Sequence, residues 1–230
     1  MKKLLNYFPD RVKHSLKNIS GYYFQNSYSQ EGEDLILNRL FSGKKDGFYI
    51  DIGAHHPKRF SNTHFFYKKG WHGINMDAMP GSMRLFNYYR KKDINLEVAL
   101  GNSEQELTYY AFNDAALNSF SKELADQRVK YYGYKVKYTK KIKITPLKNI
   151  LVKYLPEPQL IDFMSVDVEG LDLEVLQSND WCKYRPAVVL VEAITETSKS
   201  KIENFMRSVG YVEFAKTINT LFFKVKDISD

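Results

Sequence analysis

The stretch Gly47-Phe48-Tyr49-Ile50-Asp51-Ile52-Gly53-Ala54-His55-His56 decides the fold. Phe48, Tyr49, Ile50 and Ile52 are apolar and favour extended backbone. An acid and a glycine then arrive together, followed by polar residues and Pro57. The pattern predicts a buried central strand that ends in a tight loop and feeds a helix. In open α/β sheets ligands bind beyond the carboxyl ends of the strands, where the strand order reverses. Gly53 has no side chain, so backbone at that point can approach a ligand closely.

The glycine is single. A dinucleotide fingerprint has three, in the spacing G-x-G-x-x-G, and here Ala54, His55, His56, Pro57 and Lys58 follow Gly53. A pyrophosphate on the helix N-terminus is therefore poorly supported. An Asp-x-Gly-x-His turn better suits a ligand without a pyrophosphate, such as S-adenosylmethionine. On this motif alone, an ordinary strand–turn–helix junction stays open.

Downstream, residues 61–69 read as a helix with Phe65 and Phe66 inward, ended by Gly70. Residues 71–78 read as the second strand, and Asp77 at its end lies 24 positions after Gly53. An acid at that distance suits the ribose hydroxyls of a nucleoside. It equally suits a cap for the next helix, expected over 80–92. Residues 94–100 read as a third strand, so residues 47–101 give half of a doubly wound sheet. Upstream, Ser29 is expected to cap a helix whose first turn holds Glu31, Glu33 and Asp34. These acids either cap the helix or face the site. Residues 1–28 show no clear period and are set apart as an N-terminal extension.

After Gly101 the pattern breaks. Residues 106–112 are strand-like and aromatic, and residues 113–128 are largely polar and read as a loop. Residues 134–144 alternate, with Tyr134, Val136, Tyr138, Ile142 and Ile144 on one face and Lys135, Lys137, Thr139, Lys141 and Lys143 on the other. We read 104–145 as added strands plus a loop over the site. The lysine face either blunts a solvated edge or meets phosphate. Residues 146–154 then give a helix, 160–168 a fourth strand followed by Glu169-Gly170, and 171–178 a helix. Residues 187–191 give a fifth strand with Glu192 just beyond it. A helix capped by Thr195 or Ser198 follows. Residues 211–218 and 221–226 are joined too tightly for a parallel crossover and must form an antiparallel hairpin.

Composition narrows the class. The chain has 230 residues, 43% of them hydrophobic, enough for one large domain with a core. A formal charge of +7 permits an anionic partner without demanding one. Cys182 is the only cysteine, which excludes an intrachain disulfide framework and a multi-cysteine zinc site. It also favours a reducing, cytoplasmic home. The start is basic, but no apolar signal region follows it. The longest apolar run, Ala187 to Val191, is far short of a membrane span.

Six segments together resemble the FkbM-type methyltransferases. They are Ser29-Gln30-Glu31-Gly32-Glu33-Asp34, Asp51-Ile52-Gly53-Ala54-His55-His56-Pro57, Ser61-Asn62-Thr63, Gly70-Trp71-x-Gly73, Asp77-Ala78-x-Pro80-Gly81-Ser82 and Asp167-Val168-Glu169-Gly170-Leu171-Asp172. The resemblance runs from about residue 28 to residue 193. It implies a Rossmann-like class I fold, an α/β sheet of seven mostly parallel strands with a C-terminal antiparallel hairpin. One methyltransferase domain would span 29–230, with a β-rich insertion at about 104–159. The implied cofactor is S-adenosylmethionine, bound by Gln30, Asp51, Gly53, Ala54, His55, Asp77, Ala78, Val98 and Asp167. The implied activity is O-methylation of sugars, polyketides or similar metabolites. Bacterial members with this turn often accompany enzymes of surface polysaccharide biosynthesis.

A sugar hydroxyl is a poor nucleophile at neutral pH, so a group must take its proton as the new bond forms. Asp167, Glu169 and His56 are the candidates. Glu169 can instead cap its helix, and either histidine can instead bond backbone in its loop. A second route is Mg²⁺ or Mn²⁺ held by Asp167 and Glu192, lowering the hydroxyl pKa. The expected acceptor is a nucleotide-linked sugar or glycan precursor, with Tyr131, Tyr132, Tyr134 and Tyr138 stacking and lysines meeting a diphosphate. No DNA partner and no membrane span are expected. Open alternatives are an RNA or small-metabolite methyltransferase, a nicotinamide oxidoreductase, and an inactive scaffold. The sequence leaves the oligomeric state undefined.

Overall fold

β1 (Phe48–Ile52) is buried at every position, because it is the central strand of a sheet covered on both sides. The computed structural model describes residues 25–226 together with Pro9 and Val12. In chain order the main sheet takes β2 (His72–Asp77), β3 (Ile94–Glu97), β7 (Phe163–Val166), β8 (Val188–Glu192), β9 (Tyr211–Lys216) and β10 (Thr220–Val225). The spatial order is β3-β2-β1-β7-β8-β10-β9. β1 pairs in parallel with both β2 and β7, and β10 runs antiparallel to both β8 and β9. Only β10 is therefore reversed, as expected. The order turns between β1 and β7, so a crevice opens above the ends of those two strands.

The alternation of β1 divides the core. Phe48, Ile50 and Ile52 face the cluster that contains Leu147, Leu151, Val175, Leu176, Ile202 and Met206. Those residues come from α5 (Leu147–Tyr154), α6 (Asp172–Gln177) and α7 (Glu196–Ser208). Tyr49 faces the other cluster, with Leu37 of α1 (Glu33–Leu40) and Phe66 of α2 (His64–Lys68). α3 (Met83–Tyr89) packs Met83 and Phe86 against Ala54. Two apolar faces on one strand explain why β1 reads as a continuous hydrophobic run.

Several expected boundaries move. The third strand does not run unbroken from 94 to 100. Val98 N still donates to Asp77 O at 2.9 Å, but β2 ends there. β4 (Ala99–Leu100) turns away to pair with Ile144 and Thr145 of β6 (Val136–Thr145). β6 also pairs with β5 (Gln105–Phe112) to make a second sheet ordered β4-β6-β5. The fourth strand begins at Phe163 and not at Leu160, which is 86% exposed. Thr195 and Ser198 form a reciprocal capping box on α7, so both cap. Gly32 holds the N-cap position of α1 at φ 89°, but Ser29 Oγ still accepts from Asp34 N at 3.3 Å in the first turn and donates to Asp34 Oδ1 at 2.9 Å.

The polar stretch 113–128, read as a loop, contains most of a helix. α4 (Lys122–Tyr132) starts behind Ser121, whose side chain accepts from Leu124 N, and ends at left-handed Gly133. Its sequence, Lys-Glu-Leu-Ala-Asp-Gln-Arg-Val-Lys-Tyr-Tyr, is mostly polar, and only Ala125 and Arg128 are buried. The two caps at its ends were the legible signals.

Most of the expected N-terminal extension, 1–28, lies outside the described residues. Tyr28 belongs with the domain: its N donates to Asp34 Oδ2 at 2.7 Å and its O accepts from Ser61 N at 2.9 Å. No helix among the described residues is long and apolar enough to cross a membrane.

Candidate functional site

The crevice is a cavity of about 450 Å³ above the ends of β1, β2, β7 and β8, within the size of small-molecule sites. Its floor is set by Gly53, at φ 79°. A Cβ there would fall 1.6 Å from Asp167 O, so β1 and β7 meet where only glycine fits. Gly53 N and Ala54 N both donate to Met76 O, at 2.9 and 3.0 Å, which ties the turn to β2.

Asp77 closes the end of β2. One oxygen accepts from His55 N at 2.8 Å and the other from Met79 N at 2.7 Å. It braces the following turn and lines the cavity, while Ser82 holds the N-cap position of α3. Burial pushes its carboxyl above the usual range, while these amides pull it back. Each oxygen keeps a free lone pair for a ligand hydroxyl.

The predicted residues separate cleanly by position. Gln30, Gly53, His55, Asp77, Ala78, Val98, Asp167, Glu169 and Glu192 all line the cavity. Asp51, Ala54 and His56 are not in its lining. Asp51 is buried mid-strand, where its carboxylate accepts from Thr63 Oγ1 at 2.7 Å. Ala54 packs against α3. His56 Nδ1 accepts from Lys58 N at 3.1 Å and Arg59 N at 3.0 Å, so it braces the next turn. This is the loop-histidine alternative. His55 has the strained φ of 52° and is held below its ordinary pKa by burial.

At the ends of β7 and β8 three carboxylates converge. Asp167, Glu169 and Glu192 each place an oxygen within 4.8 Å of the others. Burial is the main reason that all three titrate high. Asp167 is raised further by the charge of Glu192. Glu192 is pushed up to about 8 by burial, with Glu169 and then Asp172 adding to it. Glu169 rises less, because the Arg128 guanidinium opposes its burial. Among the described residues Asp167 Oδ1 has no hydrogen-bond partner. Two acids this close disfavour each other's ionisation, so Asp167 and Glu192 titrate as a pair.

Sequence reasoning missed several lining residues. Asn62, quoted in a motif but given no role, donates from Nδ2 to Ser165 Oγ at 2.9 Å. Asp114 to Asn118, Phe120 and Arg128 cover the cavity from the stretch read as a polar loop. Arg128 is its one Lys or Arg among the described residues. Asn219 enters from the β9–β10 turn, held by Glu31, whose oxygens accept from Asn219 N at 2.9 Å and Nδ2 at 2.8 Å. Asn62 sits in a quoted motif nine positions after Gly53 and the covering stretch falls in the loop expected over the site, though none of its residues was singled out; Asn219 reaches the site from a distant part of the chain.

The residues present fit S-adenosylmethionine. Gly53 lines the cavity with its missing Cβ making room for Asp167 O, and the Asp77 carboxylate lines it beside the loop that carries His55. Met76, Ala78, Val98 and Leu100 offer an apolar wall beside it. Asp167 and Glu192, with Glu169, are the residues that could hold a divalent ion.

No curated protein matches the chain. Among solved structures it is similar to precorrin-6y C5,15-methyltransferase from Geobacter metallireducens GS-15, at 11% identity and a TM-score of 0.45, over 84% of this chain and 87% of that one. It is also similar to a TehB-like SAM-dependent methyltransferase from Corynebacterium glutamicum ATCC 13032 Kitasato, at 8% identity and a TM-score of 0.43, over 95% and 97% of the two chains. A human methyltransferase 10 domain containing protein gives 11% identity and a TM-score of 0.43, over 84% and 77%. Likenesses this distant add nothing to the strand order already described. Residues 51–213 match the methyltransferase FkbM domain, which is most of the chain, and the chain belongs to the FkbM methyltransferase family.

Proposed function

We propose that this methyltransferase transfers a methyl group from S-adenosylmethionine to a hydroxyl of a sugar, carried by a nucleotide-linked or glycan precursor of a bacterial surface polysaccharide. The observation that carries the O-methyl reading is the carboxylate cluster Asp167, Glu169 and Glu192, set in the same cavity as Gly53 and Asp77. The cofactor, when bound, supplies an electrophilic methyl on a sulfonium. The chain must orient both partners and remove a proton.

In this reading Asp77 accepts from the ribose hydroxyls, and Ala78 and Val98 flank the adenine. Gly53 and Gln30 hold the methionine part, with His55 on the loop above. The acceptor hydroxyl donates its proton to the Asp167–Glu192 pair as the oxygen–methyl bond forms. A carboxyl raised toward neutrality by burial is a better base than an exposed one, because its conjugate acid holds the proton more tightly. The same oxygens support a second reading, in which Mg²⁺ or Mn²⁺ on Asp167 and Glu192 lowers the hydroxyl pKa.

Charge divides the acceptor. Arg128 is already paired with Glu169, so among the described residues the cavity lining has no unpaired Lys or Arg for a diphosphate. The sugar would sit inside. Any diphosphate would lie outside, where Lys137, Lys140 and Lys141 of β6 are exposed. The single free cysteine, Cys182, accords with cytoplasmic work.

The deciding experiment presents the enzyme and S-adenosylmethionine with paired nucleotide and free sugars, and reads product mass for one added methyl. We expect transfer to a hydroxyl. Asp167→Asn and Glu192→Gln should each slow it by roughly 10²-fold or more. Chelator should abolish activity only if the metal reading holds. No methyl transfer to any hydroxyl acceptor, or full activity in both variants without a chelator effect, would refute the assignment.

A further inference from the structure

We infer that Arg128 is a positioning residue. It brings Glu169 into the carboxylate cluster, so that the third acid of the site is delivered by the inserted segment and not by the sheet. The inference rests on the proton-removal reading above and deepens it.

Three observations converge. First, Glu169 is not placed by its own strand. It lies beyond β7 with a φ of 55°, a left-handed conformation that a non-glycine residue keeps only when its surroundings enforce it. Second, the enforcing contacts come from residues 117–128. Arg128 Nη2 donates to Glu169 Oε2, and Arg128 Nη1 donates to Leu117 O at 2.7 Å. Ser119 Oγ donates to the Glu169 carbonyl at 2.6 Å. The insertion thus grips both the side chain and the backbone of one residue. Third, the start of α4 packs directly on the next residue, Gly170. A Cβ on Gly170 would lie 2.7 Å from Leu124 Cδ1 and 3.4 Å from Ser121 Cβ, both at the start of α4.

The electrostatics require a cation here. Glu169 points at two other carboxylates, within 4.8 Å of both. Without compensation its easiest move is to rotate out toward solvent. Arg128 is only 8% exposed, spends its charge on Glu169, and is the one Lys or Arg in the cavity lining among the described residues. Its planar fork spans two acceptors at once, Leu117 O and Glu169, which a lysine ammonium on a flexible stem does not reproduce. The cover over the cavity and the geometry of the acids are therefore set by the same side chain. A cover that lifts takes Glu169 out of the cluster.

The test uses the full chain and three variants, Arg128→Gln, Glu169→Gln and the double change, with Arg128→Lys as the conservative control. Hydrogen exchange needs no acceptor. We expect faster exchange at residues 115–120 and 168–170 in Arg128→Gln, with the strands of the main sheet unchanged. Unchanged exchange at 168–170 would overturn the inference. With an acceptor in hand, Arg128→Gln should lower kcat by about 10²-fold, the loss typical of a 1 Å misplacement, with the KM for S-adenosylmethionine within about threefold. Arg128→Lys should recover only part of it. The Arg128→Gln change should add less than about threefold in the Glu169→Gln background, because the two act as one unit. Additive losses would mean that Arg128 works by another route. If α4 unfolds in Arg128→Gln, Glu169→Gln probes the same pair from the other side and should free residues 117–119. If no acceptor is ever methylated, the functional reading fails, while exchange still decides whether Arg128 holds Glu169.

Discussion

Gly53→Ala is the sharpest probe of the crevice. Two energies oppose the substitution. The residue sits at φ 79°, and an alanine held in left-handed backbone costs roughly 1–2 kcal/mol. The new methyl would also lie 1.6 Å from Asp167 O, whereas real contacts stay beyond 3.0 Å, so strand ends must separate by at least about 1.4 Å. One of the hydrogen bonds spanning that junction is Asp167 N to Ile52 O, at 2.9 Å. A separation of that size breaks or weakens it, at roughly 1 kcal/mol. The total is on the order of 2–3 kcal/mol. Urea unfolding should show it as a lower midpoint with an unchanged slope. Calorimetry should show weakened S-adenosylmethionine binding, because the moved residues, Gly53 and Asp167, both line the cavity. A variant with wild-type stability and affinity would refute the claim that β1 and β7 touch through this glycine.

Other predictions follow from single contacts. Arg90 is fully buried and donates to Pro57 O, Tyr49 OH and Ser61 Oγ at 2.9 to 3.0 Å; Arg90→Met should cost about 3–5 kcal/mol in urea unfolding and loosen the loop that carries His55. Asp77→Asn keeps one acceptor and loses the other, and should weaken cofactor binding by roughly tenfold in calorimetry; unchanged affinity removes Asp77 from the cofactor site. Glu192 titrates near 8 when folded and near 4.5 when unfolded, so the folded state binds the extra proton between those values and stability falls as pH rises through them. The histidines held low work the other way, but only below pH 6.5, so the decline from 6.5 to 8 belongs to the carboxylate cluster and should become shallower in Glu192→Gln thermal melts. Changing Lys135, Lys137 and Lys141 to Ala should leave cofactor affinity unchanged and reduce any preference for nucleotide-linked over free sugars.

The parts of this molecule that were legible in the sequence are those whose physics is local. A buried strand flanked by helices writes itself as an apolar run, and a reversed final hairpin as two strand patterns joined by Asn219-Thr220. Gly53 and Asp77 were legible because a left-handed turn and a strand-end acid have fixed places in such sheets. His56 and Asp51 illustrate the limit. Both sit in the right motif, yet one side chain braces a turn and the other hydrogen-bonds Thr63 inside the core. One residue of register decides whether a side chain meets a cavity or a neighbouring helix. Arg128 illustrates the opposite failure. Nothing within ten positions marks it, because its partner Glu169 is 41 residues away. Only the second sheet, which carries α4 across the cavity, makes the contact.

The hydrogen bonds of the cavity also sort its acids by the work open to them. Glu31 spends both oxygens on Asn219. Glu33 accepts from Glu31 N at 2.8 Å and from Thr220 Oγ1 at 3.1 Å, so both of these acids brace the wall made by the β9–β10 turn. Asp114 accepts from Ala116 N at 3.1 Å and holds the cover in shape. Asp77 accepts one backbone amide on each oxygen, and Glu169 is committed to Arg128. Asp167 and Glu192 remain, and among the described residues no donor reaches Asp167 Oδ1. A carboxylate that already accepts backbone or guanidinium protons is a poor destination for another, because those donors stabilise its ionised form. A buried pair without donors gains most from taking a proton. The proposed proton removal therefore rests with Asp167 and Glu192 on what the other five acids are already doing, and not on their nearness to the glycine turn alone.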